Sequence, residues 1–145
     1  MSEYFDQALR EDLKELVAAG RLKLSLDVEH YFSLMKTLLP IRNLRPDWQQ
    51  MPFLVTEVAE HRQDKTALFR AFFERVVHEF RLSAEAVYVG DSCTDIAVLG
   101  DTAALLEVSG CLFSIPQHHY VLAADQSWVM CLTLEGDMGF GFLRK

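Results

Sequence analysis

Between Arg81 and Arg144 the chain has no lysine or arginine. An even spread of its 14 basic residues would place about six of them in residues 82–143. That stretch instead holds Glu85, Asp91, Asp95, Asp101, Glu107, Asp125, Glu135 and Asp137, and the whole chain carries a net charge of −7. The missing positive charge argues against a nucleic-acid binder, which needs a basic footprint to neutralise phosphates. It also argues against an anionic membrane surface as partner. Cysteine is scarce: Cys93, Cys111 and Cys131 are odd in number and have no CxxC spacing. Neither a disulfide framework nor a cysteine metal cluster is expected, and reduced thiols of a cytosolic protein fit better. No run approaches about 18 uninterrupted apolar residues, so no transmembrane span is expected. The opening segment is polar and acidic rather than basic followed by apolar, and it does not read as a signal peptide.

Hydrophobic residues make up 50% of the 145, with ten Phe, which is enough for one well-buried domain over 1–145 and too much for a disordered chain. Residues 2–19 show helical spacing of Tyr4, Phe5, Leu9, Leu13, Leu16 and Val17, with Gly20 as the stop. Asp27 is placed to cap a second helix carrying Tyr31, Phe32, Leu34, Met35 and Leu38, ended by Pro40. "IRNLRPDWQQMP" is turn-rich, and "FLVTEV" at 53–58 reads as a short strand. Between Asp64 and Arg81, Leu68, Phe69, Phe72, Phe73, Val76, Val77 and Phe80 form one apolar stripe, the mark of a central buried helix. Thereafter "AVYVG", "CLFSI", "HYVLA", "WVMCLTL" and "GFGFL" read as strands, the last three joined by hairpin turns at "AADQS" and "EGDMG". The expected fold is α+β: N-terminal helices, one central buried helix, and a mostly antiparallel sheet built largely from the C-terminal half. His118 and His119, adjacent on a strand, would point to opposite faces and cannot chelate one metal; one is expected in the sheet and the other in solvent.

The stretch "KTALFRAFFERVVHEFRLSAEAVYVGDSCTD" resembles the third and fourth motifs of the haloacid dehalogenase superfamily. The resemblance covers about residues 65–97. It implies a Rossmann-like α/β fold, magnesium at Asp91 and Asp95, Lys65 steadying a phosphoryl group, and phosphoryl transfer through an aspartyl intermediate. Such chemistry needs a nucleophilic Asp and a second Asp two residues on as general acid. Only "LSLDVEHY", with Asp27 and Glu29, stands near that pattern, and the preceding "RLKLSL" alternates instead of forming a buried parallel strand. A Glu in place of the acid shifts the proton donor by about one methylene, and a misplacement of about 1 Å can cost ~100-fold in rate. Thr56, after "FLV", makes no convincing motif either.

"HHYVLAADQSWVMCLTLEGDMGFGF" resembles the C-terminal pattern of small bacterial immunity proteins of contact-dependent or polymorphic toxin systems, over about residues 117–143. That resemblance implies a cytoplasmic, non-catalytic inhibitor of a cognate toxin, with a basic nuclease as the natural target of an acidic surface. Affinity would come from aromatic anchors with complementary charge around them. Trp128, Tyr120 and Phe140 are the candidate anchors. Asp91, Asp95, Asp125, Glu135 and Asp137 are the candidate charges. The expectation is therefore a toxin-binding surface of Asp91, Asp95, Asp125, Trp128, Glu135 and Asp137, with no catalytic residue, metal or cofactor, on a monomer or weak dimer. The alternatives are a magnesium-dependent phosphatase of haloacid dehalogenase type and a type III secretion chaperone, the latter typically dimeric and closed by a C-terminal helix.

Overall fold

The computed structural model describes residues 2–39, 41–42, 45–46, 53–60 and 64–143. In chain order the elements are α1 (Ser2–Ala18), β1 (Leu22–Ser25), α2 (Val28–Leu38), β2 (Ile41–Arg42), β3 (Arg45–Pro46), β4 (Val55–Val58), α3 (Lys65–Phe80), β5 (Glu85–Gly90), β6 (Ala97–Asp101), α4 (Thr102–Glu107), α5 (Ser109–Phe113), β7 (His119–Ala123), β8 (Trp128–Leu132) and β9 (Asp137–Phe142). Seven strands form one sheet in the order β1-β6-β5-β7-β8-β9-β4, and every neighbouring pair is antiparallel. This is an α+β fold. It is not the parallel Rossmann-like sheet that the haloacid dehalogenase resemblance implies.

Alternation along the strands sends side chains to two separate cores. On one face, Tyr88, Val98, Val121, Trp128, Met130, Leu132, Met138 and Phe140 pack with Leu9 and Leu13 of α1, the Phe69–Phe72–Phe73–Val76 stripe of α3, and Leu105, Leu112 and Phe113 of α4 and α5. On the other, Val87, Val89, Tyr120, Leu122, Val129 and Cys131 meet Met35 and the half-buried apolar residues of α2. The central strands are thus covered on both sides, which explains why β7 and β8 are buried at all five positions.

Local chemistry sets the boundaries. Asp64 caps α3 by accepting from Ala67 N at 3.2 Å, and Arg81 ends it in the left-handed conformation at φ 54°. Asp101 caps α4, accepting from Ala104 N at 2.7 Å. Gly100 has no room for a side chain, because a Cβ there would lie 2.7 Å from the Arg21 carbonyl of the adjoining strand entry. Asp27 does precede α2, though its side chain makes no capping bond.

Several expectations change. "CLFSI" is not a strand: Ser109–Phe113 is helix α5. Leu105, Val108 and Leu112 continue a helical period toward α3, and that packing outweighs the β preference of a short apolar run. β1, β6 and α4 lay outside the elements read from the sequence; the alternation of "RLKLSL" is that of a half-covered edge strand. In the turn-rich segment, β2 and β3 pair as a small hairpin, and residues 43–44 and 47–52 lie outside the described residues. Cys93 and Cys131 are buried and Cys111 is half-buried, all three as free thiols. No described helix is long and apolar enough to cross a membrane.

Because the second core depends on one helix, truncating its most buried side chain should be costly. Met35→Ala is expected to lower the unfolding free energy by about 3 kcal/mol, read from the urea midpoint with an unchanged slope.

Candidate functional site at one end of the sheet

The registers place the end of β5, the starts of β6, β7 and β9, and the ends of β4 and β8 at the same end of the sheet. The Gly90–Ile96 loop, the Pro116–His118 approach and the Thr133–Gly136 turn therefore meet there. The GDSCTD loop lies among them, with the Ser92 and Cys93 amides turned inward and Asp91, Ser92 and Asp95 exposed.

Gln117 is the centre of that arrangement, at 2% exposure. Its Oε1 accepts from Cys93 N at 2.8 Å and from Ser92 N at 3.3 Å. Its Nε2 donates to Thr94 Oγ1 at 3.0 Å and to the Tyr88 hydroxyl at 3.1 Å. The loop's backbone N–H groups thus find a side-chain acceptor where no strand supplies one. Gly90 makes this possible, since a Cβ at that position would overlap the Gln117 amide. Asp91 extends the β5–β7 ladder by one residue: its N–H donates to the His118 carbonyl at 3.3 Å, and its Oδ1 accepts the His118 N–H at 2.9 Å.

Both histidines are buried, which corrects the expectation that one faces solvent. His118 Nδ1 accepts from Leu134 N at 2.9 Å, with Glu135 Oε2 3.8 Å from Nδ1 and Asp91 Oδ2 3.9 Å from Nε2. Lys65 Nζ donates to the Leu134 carbonyl at 2.7 Å, so the turn is held from two sides. His119 is 1% exposed, and its Nδ1 lies 2.6 Å from the Tyr88 hydroxyl. Burial, then the neighbouring His118, push its pKa down to about 3, against a bond to the Phe113 backbone that raises it. Burial holds the Tyr88 hydroxyl far above its ordinary range. Lys65, Thr66, Phe113, Pro116, Gln117 and His119 line part of a cavity of about 160 Å³ beside this network.

Of the residues that the phosphatase resemblance names, Asp27 follows β1, whose end pairs with the start of β6 at this same end of the sheet. Lys65 and Asp91 are linked through Leu134 and His118. Asp95 turns to α1, its N–H donating to Asp6 Oδ1 at 2.9 Å. The Asp6 carboxyl is raised, first by burial and further by the Asp95 charge, while the Asp95 N–H and Arg10 work the other way. Among the described residues no three His, Cys, Asp or Glu side chains converge as a metal site.

The expected toxin-binding residues divide. Asp91, Asp95, Glu135 and Asp137 share this end of the sheet, and Asp6, Glu60 and Asp64 add carboxylates to it. Asp125 lies in the β7–β8 turn at the opposite end, about 17 Å away along a five-residue strand. Trp128 is 3% exposed and packs 5.8 Å from Phe140, inside the core under α3. Tyr120 lies edge-on to Phe32 of α2, and Phe140 stacks on Phe80 at 4.9 Å. All three expected aromatic anchors are core residues, which corrects that part of the reading. Gln117 was not singled out from the sequence; its only signal was an amide wedged between Pro116 and His118 at the edge of an apolar run.

Gly90→Ala should cost about 2–4 kcal/mol of stability by evicting the Gln117 amide, and Gln117→Ala a similar amount. The double variant should cost clearly less than the sum, in a denaturation double-mutant cycle. His119 is neutral when folded, so the unfolded chain binds the extra proton. Stability is therefore complete above pH 6.5 and falls as pH drops from 6.5 toward 3, by up to about 1.4 kcal/mol per unit. His119→Gln should flatten that slope between pH 5 and 6.5 in thermal melts. Compared with known proteins, the chain matches no family model, no curated protein and no solved structure.

Proposed function

We propose that the chain is a non-catalytic binding module, an immunity-type inhibitor that neutralises a basic toxin, of nuclease type, in the cytoplasm. The observation that supports this reading best is the gathering of Asp91, Asp95, Glu135 and Asp137, drawn from a stretch free of lysine and arginine, at one end of the sheet. Such a mostly acidic surface, in which Lys65 is tied to the Leu134 carbonyl, raises the encounter rate with a cationic cleft and fixes orientation on it. Leu134, half-exposed in the same turn, supplies apolar contact in place of the buried aromatics. The GDSCTD loop fits a scaffolding role, because its amides and Asp91 are used to seat Gln117 and His118, leaving carboxylates at the rim.

The test first asks whether a basic nuclease domain is encoded beside the gene, and then pairs this protein with it. Asp95→Lys, Glu135→Lys and Asp137→Lys combined should weaken binding at least ~100-fold, mostly through a slower, less salt-sensitive association rate, with the fold retained. Phosphomonoester turnover that needs magnesium and disappears in Asp91→Asn would overturn the proposal.

A further inference from the structure

The acidic end of the sheet carries charge without an aromatic anchor of its own, since Trp128 and Phe140 are enclosed in the core. Opposed charges speed and orient an encounter, whereas tight binding draws mainly on a large side chain seated in a pocket. Such a pocket lies at this same end. The cavity of about 160 Å³ is walled by Phe69 of α3, Phe113 of α5, and Ile115, Pro116 and Leu134. A void of about 150 Å³ is enough for a benzene ring. The polar side chains on its wall already bond within the protein: Lys65 to the Leu134 carbonyl, Thr66 to the Phe113 carbonyl, Ser114 to the Cys111 carbonyl, and Gln117 and His119 to Tyr88. What the cavity offers an occupant is therefore mainly apolar surface and ring edges.

Three rings meet on that wall. Phe69 stands edge-on to Phe113, 6.3 Å between centroids at 84°, and to His119, 6.0 Å at 72°, while Phe113 lies 5.4 Å from His119. Tilted and edge-to-face contacts of this kind favour a further ring over an aliphatic chain. Carboxylates flank the mouth in sequence: exposed Asp64 precedes Lys65, and exposed Glu135 follows Leu134. Lys65, the cation on the wall, is tied to the Leu134 carbonyl at 2.7 Å. We propose that this cavity is the socket for one aromatic side chain of a basic partner, whose flanking lysines or arginines are held by the carboxylates of the rim. The partner's charge rests on the acidic-surface reading above; the ring-sized socket stands on the cavity itself.

The probe is the capped tripeptide Lys-Phe-Lys, titrated into the full chain and followed by NMR beside capped Lys-Ala-Lys and capped Phe alone. The expected result is contact of the probe's ring with Phe69 and Phe113, a dissociation constant on the order of 1 mM, and at least about fivefold weaker binding of both comparison probes. Thr66→Phe, which fills the cavity from α3, should abolish the ring contacts and leave Lys-Phe-Lys no tighter than Lys-Ala-Lys. Ser114→Leu fills it from the α5–β7 connection and should do the same, and it decides the matter if the first variant fails to fold. Equal binding of the two tripeptides at the rim alone overturns the socket and leaves the acidic surface standing. Ring contacts equally strong for capped Phe overturn the basic partner together with the acidic-surface reading, and the ring-binding socket stands. No ring contact from any probe up to about 10 mM overturns the proposal.

Discussion

A loop that leaves a buried strand must satisfy its backbone N–H groups away from any sheet partner, or pay about 1–3 kcal/mol for each one stranded. Here the side-chain amide of Gln117 meets that demand for Ser92 and Cys93, while its donors reach Thr94 and Tyr88. Tyr88 in turn contacts His119, and the adjacent His118 holds the β8–β9 turn through Leu134. One amide thus couples the ends of β5, β7 and β8. Removing it leaves several polar groups dry at once, and for that reason the network behaves as a unit.

The same bonds give the sheet end its electrostatic character. With the loop's amides turned inward, its carboxylates are left at the rim. Asp91 is shared between the His118 N–H and the water side, and Asp95 lies against Asp6. Burial first, and the Asp95 charge after it, push the Asp6 pKa up, so keeping that carboxylate charged here costs folding energy. A cationic partner would relieve it. The proposed inhibitory surface and the internal scaffold are therefore two sides of one construction.

How much of this was legible in the sequence depended on how far local pattern and tertiary context agreed. The stripe from Leu68 to Phe80, the alternation around Tyr120 and Met130, and the turn residues at Asp125–Ser127 and Glu135–Gly136 each point one way, and the structure follows them. Residues 97–115 do not. Short β-rich runs there become β6, α4 and α5, because Asp101 caps a helix and the Leu105–Val108–Leu112 spacing finds a surface on α3. At the site, Gly90 and Asp91 stood out as part of a magnesium-binding pattern, and what the bare Gly90 leaves room for in the structure is the Gln117 amide. Trp128 misled because an aromatic next to a turn looks the same in sequence whether it faces water or the core.

Amide hydrogen exchange at Cys93 and Ser92 tests the central role of Gln117 most directly. If the Gln117 amide seats the loop, the Cys93 N–H should exchange only through global unfolding, with protection matching that of β7, and in Gln117→Ala it should open locally while the β7 amides stay slow. Fast exchange at Cys93 in the unaltered protein, or protection unchanged by the substitution, would contradict the account.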